Sequence, residues 1–168
     1  MRKKNLSVLG LGSNLGQKSG NLALAVKNLA GFLKIVRVSS VYKTSSLLKD
    51  SQNDYFNMCV LAETDFEPLS LLRAVKNLEK TMGREDLGRW YSRIIDIDII
   101  DYGGMVMNTS ELTLPHPEME NRSFVLLPMR EIYPDYHHPV HCRSIENMVN
   151  NIKDDLGISK LGVCSWLL

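Results

Sequence analysis

Arg93-Ile94-Ile95-Asp96-Ile97-Asp98-Ile99-Ile100 is the stretch on which the reading of this chain turns. Its β-branched composition and period-two alternation predict a strand. Residues two apart in a strand point to one face. Asp96 and Asp98 therefore share a face, bracketed by Ile94 and Ile100, while Ile95, Ile97 and Ile99 fill the other. Two carboxylates about 6–7 Å apart repel by about 2–3 kcal/mol at an effective dielectric near 20. Desolvation on an apolar strand adds to that cost. A cation between them is the simplest relief. Mg²⁺ suits the position, because it takes one or two carboxylates, keeps waters and completes its shell with substrate phosphates.

The plain alternative is an exposed edge strand with two solvated aspartates. The flanking sequence weighs against it. Upstream, Arg84, Arg89 and Arg93 share one expected loop with Trp90. Downstream lie Pro115-His116-Pro117 and Asn121-Arg122-Ser123-Phe124. Paired carboxylates among arginines and a histidine point to a metal-bridged polyphosphate site.

Working outward, Leu6–Leu11 reads as a first strand. Residues 19–33 carry a helical stripe at Leu22, Val26, Leu29 and Leu33. Ile35–Tyr42 reads as a second strand, Thr44–Asp54 as a loop and Tyr55–Ala62 as a third strand. Pro68 fits a helix's first turn. Leu71, Val75, Leu78 and Met82 form that helix's buried stripe, and Gly83 its stop. The order is β-α-β-β-α-β, so the expected fold is α+β. Its core is a ferredoxin-like unit, one antiparallel sheet with two helices on one face. A C-terminal α/β extension should follow, with a short strand at Leu112–Leu114 and helices at Ser123–Arg130 and 144–152. Pro128 is expected to bend or end the first of these helices.

The chain has 168 residues, read as a single domain over 1–168. Twenty basic and 19 acidic residues give a net charge of +1, which argues against a general nucleic-acid or membrane-surface binder. Cys59, Cys142 and Cys164 are odd in number and far apart, so neither a disulfide framework nor a zinc ribbon is indicated. The short apolar run after Met1-Arg2-Lys3-Lys4 is interrupted by Ser7, Gly10 and Gly12, unlike a signal peptide. No run approaches the length of a membrane span. A cytoplasmic monomer is the expectation.

Gly10-Leu11-Gly12-Ser13-Asn14-Leu15-Gly16 invites a phosphate-loop reading. A dinucleotide fingerprint needs glycine where Leu15 stands, and Gln17 breaks the Walker spacing. A glycine-rich turn into a helix is favoured. Tyr55 and Asn57 share a face of their strand, an aromatic platform beside a donor–acceptor amide suited to a flat heterocycle. His137-His138-Pro139-Val140-His141 has the look of a metal cluster. It is crowded, however, and lacks a ligand at suitable spacing, so a solvated loop is favoured. Glu79 flanks the buried stripe of its helix.

Together these residues resemble the 6-hydroxymethyl-7,8-dihydropterin pyrophosphokinase family of the folate pathway. The resemblance runs through Gly12-Ser13-Asn14-Leu15-Gly16, Ser39-Ser40-Val41-Tyr42-Lys43-Thr44, Asp54-Tyr55-x-Asn57, the Arg93–Ile100 stretch, Leu114-Pro115-His116 and Asn121-Arg122-x-Phe124. It implies transfer of pyrophosphate from ATP to the pterin's hydroxymethyl group, with release of AMP. By position it implies that Asp96 and Asp98 hold two Mg²⁺ ions and form the catalytic group with Arg89 and Arg93. Tyr55 and Phe124 would sandwich the pterin, and Asn57 would read its edge. Trp90 would join that pocket, with backbone contacts from Thr44, Ser45 and Leu47. Arg89, Trp90, Arg93, His116 and Arg122 would meet the nucleotide and its phosphates, with Glu79, Ile99 and Thr113 completing the ATP set. The chain departs from the family pattern in a loop one residue shorter between Arg84 and Arg89, and in Ser45 where proline is expected. Two rival readings are an RNA-recognition-like module, whose aromatic strand motif is lacking, and a metal-dependent phosphohydrolase, which has no need of Tyr55, Asn57 and Phe124.

Overall fold

A computed structural model describes residues 5–45, 53–84, 92–154 and 157–162. The architecture is mixed α/β, a single main antiparallel sheet with helices on both faces. Strand β1 (Asn5–Ser13) lies inside the sheet, between β4 (Tyr55–Thr64) and the edge strand β5 (Asp96–Tyr102). The far side of β4 carries two short strands end to end, β2 (Lys34–Val38) and β3 (Val41–Thr44). The second strand of the sequence reading is thus broken in two. At the break the Ser39 hydroxyl accepts the Cys59 N–H and the Ser39 N–H donates to the Cys59 carbonyl. The Ser40 N–H turns away to Glu131. Serine side chains here satisfy backbone groups that a continuous ladder would have used.

Helices α1 (Lys18–Leu29) and α2 (Pro68–Thr81) cover one face. Leu22, Ala25, Val26 and Leu29 of α1 join Leu71, Val75 and Leu78 of α2 over Leu9, Leu11, Val60, Ala62, Ile97 and Ile99. Pro68 opens α2 as expected, and Gly83 follows its end with φ +89°. Burying each of the leucine, valine and isoleucine side chains among them contributes about 1.5–3 kcal/mol.

The opposite face is also covered. Helices α3 (Ser123–Ile132) and α4 (Ile145–Asn151) lay Val125, Leu126, Met129, Ile132, Ile145 and Met148 on Val8, Cys59, Leu61 and Ile100. Pro128 does not end α3, which continues to Ile132. The bond it forgoes falls on the carbonyl of Phe124, in the helix's first turn, and the proline itself is buried. A small hairpin, β6 (Met107–Asn108) with β7 (Thr113–Leu114), precedes α3. The last strand, β8 (Ser159–Gly162), extends the sheet beside β3.

The strand of Asp96 and Asp98 starts later than its sequence implies. Ile94 lies before it and packs with the α1/α2 core, so it does not bracket the aspartates. A register shift opposite Val8 and Leu9 leaves Ile100 without a partner on β1. This bulge resets the alternation. Asp101 is therefore buried toward the α3 layer, where its carboxylate accepts the Tyr136 hydroxyl.

Candidate active site

At one end of the α3/α4 face of the sheet the register aligns a cross-strand row. Asp96 stands opposite Gly12, Gly12 opposite Asn57, and Asn57 opposite Tyr42. Directly opposed residues share a face. Asp96 and Asn57 are two strand spacings apart, about 10 Å. Gly12 leaves the floor between them clear. A Cβ there would lie 3.2 Å from Asn57 Oδ1 and 3.8 Å from the Tyr55 ring. Gly10 lies in β1, within the strand read from the sequence, and Gly12 is a strand residue too, which corrects the expectation of a turn there. Gly16, with φ +64°, makes the turn.

Asn57 is buried, and its Nδ2 donates to Thr44 Oγ1 at 2.9 Å. That bond fixes the amide, with Oδ1 left on the Gly12 side. Tyr55, half-buried, flanks it. Burial, then the Asp96 charge, push the Tyr55 hydroxyl above its ordinary pKa, so it stays a neutral phenol at pH 7. Ser45 follows β3 and is exposed.

Asp96 is met by two arginines, Arg84 at 2.8 Å to Oδ1 and Arg93 at 2.8 Å to Oδ2. Asp98 is more open, with Lys76 3.6 Å away. Glu79 lies beneath them, 2% exposed. Its carboxylate accepts the Ile97 N–H at 2.6 Å and Lys76 at 2.9 Å, and pairs with Arg84. Burial raises the Glu79 pKa, against the pull of Lys76, the Ile97 amide and Arg84. The buried glutamate thus fixes both the edge strand and two cations beside the aspartates.

Arg93 is held by its backbone. Asn14, fully buried, accepts the Arg93 N–H through Oδ1 at 2.7 Å and donates its own N–H to the Arg93 carbonyl at 3.2 Å. His116 follows β7, and its N–H donates to the Ile100 carbonyl. Its Nδ1 accepts the Glu118 N–H, which leaves the proton on Nε2. Burial lowers its pKa, with Asp98 pulling the other way, so the ring is neutral at pH 7. At the start of α3 the Arg122 guanidinium sits 5.7 Å from the Phe124 ring centre, within cation–π range.

The structure therefore gathers Asp96, Asp98, Arg93, Glu79, Tyr55, Asn57 and Thr44 at one sheet end, with His116 near Asp98. Leu47, Arg89 and Trp90 lie outside the described residues. Thr113 lies on β7, and its hydroxyl donates to Asn108 of β6. The Ile99 side chain is buried in the α1/α2 core, which leaves only its backbone for a ligand. Lys76, Arg84, Asn14 and Gly12 were not singled out as site residues from the sequence. Asn14 and Gly12 lay in the glycine motif and Arg84 in the arginine-rich loop, while Lys76 lay in no motif.

The histidine-rich loop holds a second cluster. Donor atoms of Glu120, His138 and His141 lie within 4.8 Å of one another. His138 is buried, not solvated, and its Nδ1 accepts the backbone N–H groups of Val140 and His141. The two rings stack 4.5 Å apart at 7°. In-plane lone pairs on parallel rings do not converge on one ion, and His138 acts here as a loop staple.

Paired carboxylates, cations that suit phosphate, and an aromatic–amide pocket on one sheet are the equipment of an enzyme that handles a phosphorylated substrate beside a flat ring. The 7,8-dihydro-6-hydroxymethylpterin-pyrophosphokinase family model matches residues 8–134. The 2-amino-4-hydroxy-6-hydroxymethyldihydropteridine pyrophosphokinase of Aquifex aeolicus is 36% identical over 138 residues, 82% of this chain and 86% of that protein. A folic acid synthesis protein of Dictyostelium discoideum is 39% identical over 135 residues, 80% of this chain and 20% of that protein. The chain belongs to the 7,8-dihydro-6-hydroxymethylpterin-pyrophosphokinase family. Wild-type HPPK-DHPS of Plasmodium falciparum with SDX-DHP shares the fold, with a TM-score of 0.74 at 18% identity over 89% of this chain and 44% of that one. The chain thus spans less than half of that protein and a fifth of the Dictyostelium one.

Proposed function

We infer that this chain transfers the pyrophosphoryl group of ATP to the hydroxymethyl oxygen of 6-hydroxymethyl-7,8-dihydropterin in folate biosynthesis, with AMP as the second product. The observation that carries the site is the row Asp96–Gly12–Asn57 with Tyr55 beside it. The carboxylate pair stands at one end of that row, and Tyr55 and Asn57 flank the glycine at the other. ATP and the pterin are the small-molecule substrates. The order of strands in the sheet supports the finer reading, a ferredoxin-like core of β5-β1-β4 and β2/β3 with a C-terminal α/β extension, forming one pyrophosphokinase domain.

In this reading Asp96 and Asp98 hold two Mg²⁺ ions. The donor set fits, because both are hard oxygen ligands on one face with exposed oxygens, and the cations now facing them are exchangeable. The ions, when bound, would neutralise phosphate charge and activate the acceptor hydroxyl. Arg84 and Arg93, released from Asp96, are left to face the triphosphate, with Arg89 and Arg122. Neutral His116 offers its Nε2–H as a donor to a phosphate oxygen. Glu79, Ile99 through its backbone, Thr113 and Trp90 complete the nucleotide contacts. Tyr55 and Phe124 stack on the two faces of the pterin, Asn57 reads its edge, and Thr44, Ser45 and Leu47 contribute backbone groups. The near-neutral charge supports a protein that binds no nucleic acid. Among the described residues no helix is long and apolar enough to cross a membrane. A cytoplasmic monomer completes the reading.

ATP labelled at both the β- and γ-phosphorus tests the reaction. Both labels are expected in the pterin product, with unlabelled AMP left behind. Only the γ label in the pterin, with ADP, would replace this reaction by ordinary kinase chemistry. Label in free phosphate without any need for pterin would favour the phosphohydrolase.

A further inference from the structure

The family match ends at residue 134, but chain beyond it returns to the pocket. Asp154 lies against the first turn of α3, where its carboxylate accepts the Ser123 N–H. The residue preceding that helix, Arg122, gives it no side-chain cap. The first-turn amides of a helix lack partners within it, and a carboxylate satisfies them and suits the helix dipole. Asp154 is thus the cap of α3, supplied from 31 residues away. Phe124 and Arg122 are the residues on either side of the amide it holds.

The chain then passes to the other wall of the pocket. Gly157, with φ +60°, lies beside Ser45, since a Cβ there would be 3.7 Å from the Ser45 hydroxyl. Strand β8 pairs with β3, Lys160 with Tyr42 and Ser159 with Lys43. Lys160 reaches Glu131 of α3 at 2.8 Å. Glu131 in turn takes the Tyr42 hydroxyl and the Ser40 N–H. One C-terminal run is thus fastened both to the helix that carries Phe124 and to the strand that ends at Thr44.

We propose that Asp154 is a positioning residue of the pterin pocket. By capping α3, it fixes the ring of Phe124, the second residue of that helix. The proposal rests on the reading of Tyr55 and Phe124 as the pterin sandwich. Its signature is selective. The aspartates that face ATP lie on β5 and do not depend on this cap, so pterin use should suffer and nucleotide use should not.

Steady-state kinetics with each substrate varied separately test it, with Asp154→Ala, Asp154→Asn and Phe124→Ala assayed together. Loss of a cap at this position corresponds to roughly a fivefold effect. Asp154→Ala is expected to raise the KM for the pterin about that much, with the KM for ATP within about twofold. Asp154→Asn keeps an acceptor and should recover most of the loss. An unchanged pterin KM in Asp154→Ala, while Phe124→Ala raises it, overturns the proposal and leaves the pocket reading intact. If Phe124→Ala has no effect either, the pocket reading itself falls. Parallel rises in both KM values would mean a purely structural role and overturn it too. Should Asp154→Ala fail to fold, Asp154→Glu moves the carboxylate by one methylene and must show the same split. Its absence there is equally decisive.

Discussion

Replacing Asp96 or Asp98 by asparagine is expected to lower turnover at least about a hundredfold while leaving the fold intact. The amide keeps the shape of the side chain and removes the charge that a divalent cation needs. The two variants should part company in stability. Considered as a bare strand, the pair repels, and removing either charge would be expected to stabilise the metal-free protein. The structure changes that expectation for Asp96, which is flanked by Arg84 and Arg93, both mostly shielded from solvent. Asp96→Asn leaves those two cations facing each other beside Glu79 and should cost up to about 1 kcal/mol. Asp98 is more exposed and has only Lys76 nearby, so Asp98→Asn should be close to neutral. Thermal melts without metal, set beside turnover, separate the two effects. Activity above a tenth of wild type in both variants would remove the aspartates from the metal role.

Tyr55→Ala and Phe124→Ala should weaken pterin binding by roughly tenfold or more, with nucleotide binding almost unchanged. An aromatic stack contributes about 0.5–1.5 kcal/mol beyond the area it covers, and the lost area adds to that. The two rings belong to different elements, β4 and α3. Tyr55 lies next to the Gly12 gap. Phe124 is partly buried against the α3 layer, so its truncation should also lower the melting temperature slightly. Calorimetric titration with the pterin and with a non-hydrolysable ATP analogue decides the matter. Equal losses for the two ligands would mean that the sandwich is misassigned.

What could be read from the sequence was what local chemistry encodes. Alternating isoleucines announced β5, Pro68 and Gly83 bounded α2, and the Tyr55–Asn57 spacing placed both side chains on one face. What escaped was encoded at a distance. The break at Ser39-Ser40 depends on the Cys59 backbone and Glu131, which no window around the serines contains. Ile94 fits the strand's alternation but lies ahead of it, because Asn14 pins the backbone at Arg93. Glu79 was visible as a flanking residue. Its burial follows from the Ile97 amide and the Arg84 guanidinium that enclose it. Strand β8 has four residues, Ser159-Lys160-Leu161-Gly162, without alternation, and exists because β3 offers an edge. Asp154, on no element at all, becomes a helix cap only through the fold. Arg84 was visible as one arginine of a basic loop, but its partner Asp96 lies twelve residues on. The site's charge balance was therefore the least legible part of it.

Counting bound metal tests the carboxylate site most directly. Mn²⁺ can stand in for Mg²⁺ at oxygen ligands, and its spin resonance reports how much is held by the protein. With a non-hydrolysable ATP analogue and the pterin present, two ions per chain are expected for the wild type, and fewer than two for Asp96→Asn and for Asp98→Asn. Two tightly held ions in both variants would contradict the assignment of the Asp96–Asp98 face as the metal site.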